Sequence, residues 1–219
     1  MKPRVLVLSL GGTITMTPAL GGGVAPTLGA EDLVAAVPAL GDVARIEARA
    51  LRRLPSGSLS LSHLAEAAAA IADSDADGAV VVQGTDTLEE AAFLLDLLSQ
   101  PDRPVVLTGA MRAPAAPGAD GPANLLAAVT AAADPAARGL GAVVVLNDEV
   151  HAARFVRKGH AALPSAFVSP LAGPLGVVAE GRLRLYLRPA PTPRLPMGDG
   201  APPPVALLRA AMGDDLRLA

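Results

Sequence analysis

Four short, mostly apolar runs constrain the fold of this chain more than any other feature of its sequence. They cover residues 5–10, 79–82, 105–107 and 142–146. Because they lack regular polar alternation, they predict strands that are covered on both faces. Helical patterns lie between them, at residues 31–37, 61–72, 88–98 and 123–133. The alternation predicts an α/β fold, a three-layer, doubly wound and largely parallel sheet with helices on both faces.

The remaining segments extend this prediction. Residues 44–50 alternate small or apolar residues with charged ones, which indicates one more strand with a solvated face. Residues 176–187 have the pattern of a late β-hairpin. We expect a domain over residues 1–188, a proline-rich extended linker over 189–204 and, in 205–219, the start of a truncated smaller domain.

Composition excludes several functional classes. The 219-residue chain has a formal net charge of −3, no basic stripe and no apolar run of the roughly 20 residues that cross a bilayer. We therefore expect no nucleic-acid or membrane partner, and a small molecule is the expected ligand. The absence of cysteine excludes disulfides and thiolate chemistry and suits a cytoplasmic protein. His63, His151 and His160 lack metal-ligand spacing, so we predict no metal or cofactor and expect surface or helix positions for them.

Ligands of open α/β sheets bind beyond the carboxyl ends of the strands, so the residues after each run carry the functional prediction. After the first run, Gly11 and Gly12 permit a tight turn that presents the Thr13 hydroxyl. By itself this motif fits a plain turn or a phosphate-binding turn equally well.

The second run leads into the sequence QGTDTLEE, residues 83–90. Thr87 and Glu90 match a Thr-x-x-Glu capping box, which predicts the start of a helix. Capping leaves Thr85 and Asp86 unexplained at a helix N-terminus, where backbone N–H groups favour anionic or oxyanionic ligands. Turn chemistry alone is the alternative reading of this pair.

Two later segments add candidate groups. Residues 108–125 form a long loop before a helix, and Arg112 and Asp120 are able to pair across it. Lys158 is one of two lysines beside 16 arginines. Lysine gives up its proton when desolvated and arginine does not, so Lys158 suits a role in proton transfer, the alternative being a solvated surface lysine.

Five motifs together resemble the bacterial L-asparaginase family in order and spacing. They are GGTI (11–14), QGTDTLEE (83–90), TGAMR (108–112), DGPANL (120–125) and VVVLNDEV (143–150). The resemblance runs from residue 4 to about 187. It implies hydrolysis of asparagine, and of glutamine in some members, to the acid and ammonia.

The resemblance also implies roles for individual residues. Thr13 would be the nucleophile that forms an acyl-enzyme, and Lys158 would draw the proton from Thr85, which activates the nucleophile or the hydrolytic water. Thr85, Asp86 and Lys158 would form the second catalytic group, and Asp86 would also hold the α-ammonium of the substrate. Ser56 falls where the family binds the α-carboxylate, and Ala110 where a backbone carbonyl receives the leaving amide. Backbone N–H groups near Thr85 would stabilise the oxyanion.

The sequence departs from the family pattern in three places. The loop after GGTI holds no tyrosine, and the one tyrosine in the chain is Tyr186, so Thr15 or Thr17 is the candidate replacement. Gly57 stands at a substrate-binding position that is often glutamine. The smaller C-terminal domain of the family, which completes the site of a neighbouring subunit in a dimer or tetramer, is represented by its first strand alone.

The leading hypothesis is therefore a threonine-nucleophile amidohydrolase that forms a homo-oligomer. A related amidotransferase subunit ranks lower because its extra N-terminal domain is missing from the sequence. A catalytically incomplete amino-acid-binding or assembly module is the alternative from another class. A bare nucleotide-binding domain ranks last, since the sequence has no GxGxxG or Walker-type loop.

Overall fold

An eight-stranded sheet lies at the centre of the molecule. The computed structural model describes residues 1–18, 24–100, 102–195, 198, 200, 203–207 and 212–213. The strands are β1 (Arg4–Gly11), β2 (Met16–Pro18), β3 (Val24–Pro26), β4 (Arg45–Leu54), β5 (Gly78–Val82), β6 (Val105–Thr108), β7 (Ala142–Leu146), β8 (Glu149–Ala152), β9 (Arg157–Lys158), β10 (Phe167–Val168), β11 (Gly176–Ala179) and β12 (Arg182–Leu185). The helices are α1 (Ala30–Ala35), α2 (Leu40–Val43), α3 (Leu61–Ala72), α4 (Leu88–Leu98) and α5 (Gly121–Ala133).

The sheet has the strand order β12-β11-β8-β7-β6-β5-β1-β4. The pairs β4–β1, β1–β5, β5–β6 and β6–β7 are parallel. β8, β11 and β12 extend the sheet beyond β7 through antiparallel pairs. The four apolar runs are β1, β5, β6 and β7, and their apolar side chains are buried as predicted. The predicted strand at 44–50 is the edge strand β4, and the predicted late hairpin is β11–β12. The α/β prediction is confirmed.

Two apolar clusters on opposite faces of the sheet make the three layers. One contains side chains of α1, α5 and the start of α2. The other contains side chains of α3 and α4, together with Phe167 of the β9–β10 ribbon. Alternate residues of the buried parallel strands contribute to the two clusters, as the period of two in a strand requires.

The connection through α5 has the opposite hand to its neighbour. The connections β5–α4–β6 and β6–α5–β7 run in the same direction across the sheet, but α4 and α5 cover opposite faces. The crossovers through α1 and α2 and through α3 share the hand of the α4 crossover. Since about 98% of such crossovers are right-handed, the α5 crossover is the exception to that rule.

The proline-rich segment lies partly outside the described residues, as does most of 205–219, where a further strand was expected. Residues 192–195 of the segment are held against the domain. Thr192 donates a hydrogen bond to the Asp96 carboxylate, and the Leu195 N–H donates to the Leu97 carbonyl at 2.9 Å. Residues 192–195 therefore lie along the last turn of α4. Among the described helices, none is long and apolar enough to cross a membrane.

Candidate active site

The carboxyl ends of β1 and β5 meet where the chain reverses its direction across the sheet. β1 lies between β4, which is the next strand of this sheet along the chain, and β5. The chain therefore changes direction between β1 and β5, and these two strands flank a topological switch point. In open α/β sheets this is where ligands bind. Thr13 follows β1, and Thr85 and Asp86 follow β5. The topology therefore brings the first two predicted loops to one edge of the sheet.

Glycines allow three loops to approach closely at this edge. Gly12 has a φ of 91°, and a Cβ on it would lie 2.1 Å from the Gly84 nitrogen. A Cβ on Gly84 would in turn lie 2.8 Å from Oγ of Ser56. The Thr13 and Thr85 loops are thus packed against each other, and Ser56 packs on the far side of Gly84.

Lys158 joins two of the predicted residues. Its Nζ donates hydrogen bonds to Oγ1 of Thr85 at 2.8 Å and to Oδ1 of Asp86 at 2.5 Å. The Thr85 side chain is buried, and the Lys158 side chain is 16% exposed, whereas that of Asp86 is 78% exposed. Lys158 is therefore not a solvated surface lysine. A buried hydroxyl, an ammonium and a solvent-facing carboxylate form one hydrogen-bonded cluster.

Ser56 organises the loop from residue 84 to residue 87. Its Oγ accepts the Asp86 N–H at 3.2 Å, and its carbonyl accepts the Thr87 hydroxyl at 3.0 Å. The predicted capping box is therefore wrong. Thr87 does stand at the N-cap of α4, but its side chain makes no capping hydrogen bond, and its hydroxyl donates to the Ser56 carbonyl.

Thr13 begins a short 3-10 turn, and its side chain is half-buried. The two hydroxyls expected to replace the missing tyrosine are engaged elsewhere. Thr15 is fully buried and donates to the Gly12 carbonyl at 2.8 Å, and Thr17 lies 2.8 Å from the Thr27 hydroxyl. Tyr186 follows β12, at the far edge of the sheet, and is exposed. Neither Thr15 nor Thr17 hydrogen-bonds to Thr13 in the described part of the chain.

The remaining predicted binding positions differ in burial. Gly57 is exposed, and a Cβ on it would meet nothing within 4 Å. Ala110 is buried just beyond β6. The preceding residue, Gly109, is packed so that a Cβ on it would lie 2.5 Å from the Gln83 carbonyl. The loop that carries Ala110 therefore lies next to the loop that carries Thr85.

Asp120 shapes that loop through its backbone. Its carboxylate accepts the N–H groups of Met111 and Arg112, at 3.0 and 2.9 Å. The predicted side-chain pairing of Arg112 with Asp120 is wrong, because the guanidinium donates to the Gly118 carbonyl instead. Asn124 donates to the Gly109 carbonyl at 3.0 Å, so the start of α5 holds the loop in place.

In the described residues, none of the three histidines hydrogen-bonds to Lys158, Thr85 or Asp86. His63 is near the start of α3, and His160 is exposed. The expectation of a surface or helix position is wrong for His151, which lies on β8 and is buried against Ser169, with Nδ1 3.0 Å from the serine Oγ. Burial lowers the pKa of His151, and Glu149 opposes part of that shift. In the described residues no group of three or more acidic or histidine side chains is arranged to hold a metal.

Sequence reasoning missed Glu89. Its carboxylate accepts the backbone N–H of Lys158 at 2.5 Å, from the first turn of α4. The adjacent pair Glu89 and Glu90 in QGTDTLEE was a usable signal, but the capping pattern that begins at Thr87 includes only Glu90.

Comparisons with known proteins agree with the arrangement. Residues 4–191 match the family described as "Asparaginase, N-terminal". The chain is 39% identical over 195 residues to a glutaminase-asparaginase of Pseudomonas fluorescens, covering 85% of this chain and 54% of that protein. It is 39% identical over 189 residues to L-asparaginase 2 of Bacillus subtilis, covering 81% and 50%. A solved structure of a probable cytoplasmic L-asparaginase from Campylobacter jejuni superposes with a TM-score of 0.76 at 35% identity, covering 85% and 58%. The chain thus spans about half the length of the curated relatives it matches.

Proposed function

Because the chain belongs to the asparaginase family, whose N-terminal domain it matches over residues 4–191, we propose that it hydrolyses the side-chain amide of L-asparagine or L-glutamine with Thr13 as the nucleophile. The observation that carries the proposal is the hydrogen-bonded cluster of Lys158, Thr85 and Asp86 at the switch point. The products are the corresponding acid and ammonia.

The reaction has two steps. Oγ of Thr13 bonds to the amide carbon, the carbon–nitrogen bond breaks, and the nitrogen leaves as ammonia with the proton from the hydroxyl. Water then attacks the ester carbon, and the Thr13 oxygen leaves and regains a proton. The close packing of Gly12 on Gly84 supports this role, since it sets the Thr13 loop beside Thr85. A neighbouring base is what a threonine hydroxyl needs to act as a nucleophile.

Lys158 and Thr85 supply the proton relay in this proposal. Proton transfer between a hydroxyl and an amine requires hydrogen-bond reach, and the distance from Nζ of Lys158 to Oγ1 of Thr85 is 2.8 Å. Thr85 then takes the proton from Thr13 or from the hydrolytic water. The burial of Thr85 supports the relay, because a water-poor site strengthens each of these interactions.

The substrate's charged groups are bound by neighbouring residues. The exposed carboxylate of Asp86 is available to the α-ammonium. Ser56 receives the α-carboxylate, with Gly57 leaving open space beside it. The Ala110 carbonyl receives the leaving amide, and backbone N–H groups near Thr85 stabilise the oxyanion.

Ammonia release from L-asparagine and L-glutamine by the purified chain tests the proposal. We expect activity that Thr13→Ala abolishes, with circular dichroism and urea unfolding unchanged. Thr130→Ala, which removes a hydroxyl on α5 that donates to the Leu126 carbonyl, is the matched control and should retain activity. Equal activity of the two variants would overturn the proposal.

A second candidate is a module that binds the amino acid without turning it over. It is favoured by the hydrogen bonds of Thr15 to the Gly12 carbonyl and of Thr17 with Thr27, since in the described residues neither hydroxyl bonds to Thr13 in place of the tyrosine. Calorimetry with L-aspartate distinguishes the two functions: binding without ammonia release supports the module, and absence of binding removes it.

The wider setting is also proposed from the relatives. One similar protein is named as cytoplasmic and others act on both amides according to their names, and we infer a cytoplasmic homo-oligomer whose preference between the two amides depends on pocket shape. Discrimination by one methylene is worth about 1–3 kcal/mol. Size-exclusion chromatography and the ratio of kcat/KM for the two substrates measure these properties.

A further inference from the structure

The backbone of Lys158 is held by a carboxylate that the reaction scheme does not use. Oε2 of Glu89 accepts the Lys158 N–H at 2.5 Å, although 69 residues separate the two in sequence. Glu89 is half-buried in the first turn of α4. A hydrogen bond to an ionised acceptor is stronger than one between neutral groups.

Lys158 has little other secondary structure to fix it. β9 consists of two residues, paired with β10 through Lys158 opposite Phe167 and Arg157 opposite Val168. A ribbon of this length is too short to be stable by itself. One side of it is anchored by Phe167, which is buried in the cluster under α3 and α4.

The loop–helix unit of residues 85–89 binds both ends of Lys158. Thr85 and Asp86 accept from Nζ, and Glu89 accepts from the backbone N–H. The side chain therefore runs along a single rigid element from its backbone to its ammonium. This restricts where Nζ can lie relative to Oγ1 of Thr85.

We propose that Glu89 is a positioning residue that fixes Lys158 for proton transfer with Thr85, an inference that rests on the proposed function. Glu89 acts through Lys158 and does not touch the substrate. Its role differs from that of a general acidic residue at a helix N-terminus, which would stabilise α4 through the dipole alone.

Glu90 provides the matched control. It has the same charge, lies in the same turn of α4 and is exposed, and it makes no side-chain hydrogen bond within the described part of the chain. Glu89→Ala and Glu90→Ala thus change net charge and helix-dipole interactions alike, and only Glu89→Ala removes an acceptor from Lys158.

The first test reports the placement of Lys158 without using activity. The chain has two lysines, so trace acetylation with acetic anhydride followed by peptide mass spectrometry gives the reactivity of Lys158 relative to Lys2. We expect a low ratio in the wild type and about a tenfold higher ratio in Glu89→Ala, since a hydrogen bond to a charged group of this kind is lost. Glu90→Ala should match the wild type. An unchanged ratio in Glu89→Ala, or equal increases in both variants, would overturn the proposal.

The second test reports the catalytic consequence. We expect Glu89→Ala to lower kcat for ammonia release by at least about tenfold with little change in KM, and Glu89→Gln, which keeps an acceptor oxygen, to recover most of the loss. Raised Lys158 reactivity with unchanged kcat in Glu89→Ala would overturn the proposal. A wild-type chain without activity would contradict the proposed function, whereas the acetylation ratios would still decide how Lys158 is held.

Discussion

Replacement of Gly84 by alanine tests the loop contact on which the site depends. A Cβ on Gly84 would lie 2.8 Å from Oγ, 2.9 Å from Cβ and 3.1 Å from the nitrogen of Ser56. Two of these distances are shorter than real Cβ contacts, and the third involves backbone that cannot move aside easily. Overpacking of this kind costs about 1–3 kcal/mol. Urea denaturation should show that loss in the free energy of unfolding of Gly84→Ala.

Gly57→Ala is the control for this perturbation, because it adds the same methyl group one residue after Ser56, where nothing lies within 4 Å. Its free energy of unfolding should stay within about 0.5 kcal/mol of the wild type. Ser56→Gly removes two of the three close contacts, so in its background Gly84→Ala should cost about 1 kcal/mol less than in the wild type. Equal losses for Gly84→Ala and Gly57→Ala, or strict additivity of the double variant, would refute the reasoning.

Three further predictions concern single side chains. Lys158→Met should lower the rate of ammonia release by about 100-fold or more, while Lys2→Met should not change it; similar rates for the two variants would exclude the relay. Burial places the pKa of His151 below its ordinary value of 6.5. As the pH is lowered, the unfolded chain therefore takes up a proton at His151 before the native chain does, and the free energy of unfolding falls between a pH of about 6.5 and the native pKa. The difference in unfolding free energy between the wild type and His151→Gln should therefore decrease as the pH is lowered through that window. A difference that does not change with pH would contradict this. Asp96→Ala removes the acceptor of the buried Ala142 N–H and of Thr192, so it should cost about 1–3 kcal/mol in urea unfolding, and a cost near zero would contradict the described contacts.

The parallel part of the fold was predictable because the sequence marks it strongly. β1, β5, β6 and β7 are buried on both faces, so each is a mostly apolar run without regular polar alternation. The order of the motifs along the chain also predicted that Thr13 and Thr85 follow strands. The topology adds that those two strands are neighbours.

The hand of the α5 crossover was not predictable from the pattern of elements. The general rule for right-handed connections would place α5 on the same face as α4. Its many small, buried residues suit either face, since alanines pack closely against a sheet on both sides. The face of the sheet that α5 covers is therefore set by tertiary packing and not by local helix propensity.

The residues of the candidate site were named from the sequence, but local sequence patterns did not predict their hydrogen-bond partners. The pairing of Lys158 with Thr85 and Asp86 joins residues more than 70 positions apart, so the sequence offered the resemblance alone as evidence. The capping prediction failed at Thr87 for the same reason. A local motif competes with long-range acceptors such as the Ser56 carbonyl, and these are visible only after folding.

The position of the acyl group during turnover tests the central claim most directly. The chain is mixed with L-asparagine or L-glutamine, quenched in acid, digested, and its peptides are analysed by mass spectrometry. The account predicts an aspartyl or glutamyl ester on Thr13 that is absent from Thr13→Ala. An ester on Thr85, or turnover that persists in Thr13→Ala, would contradict it.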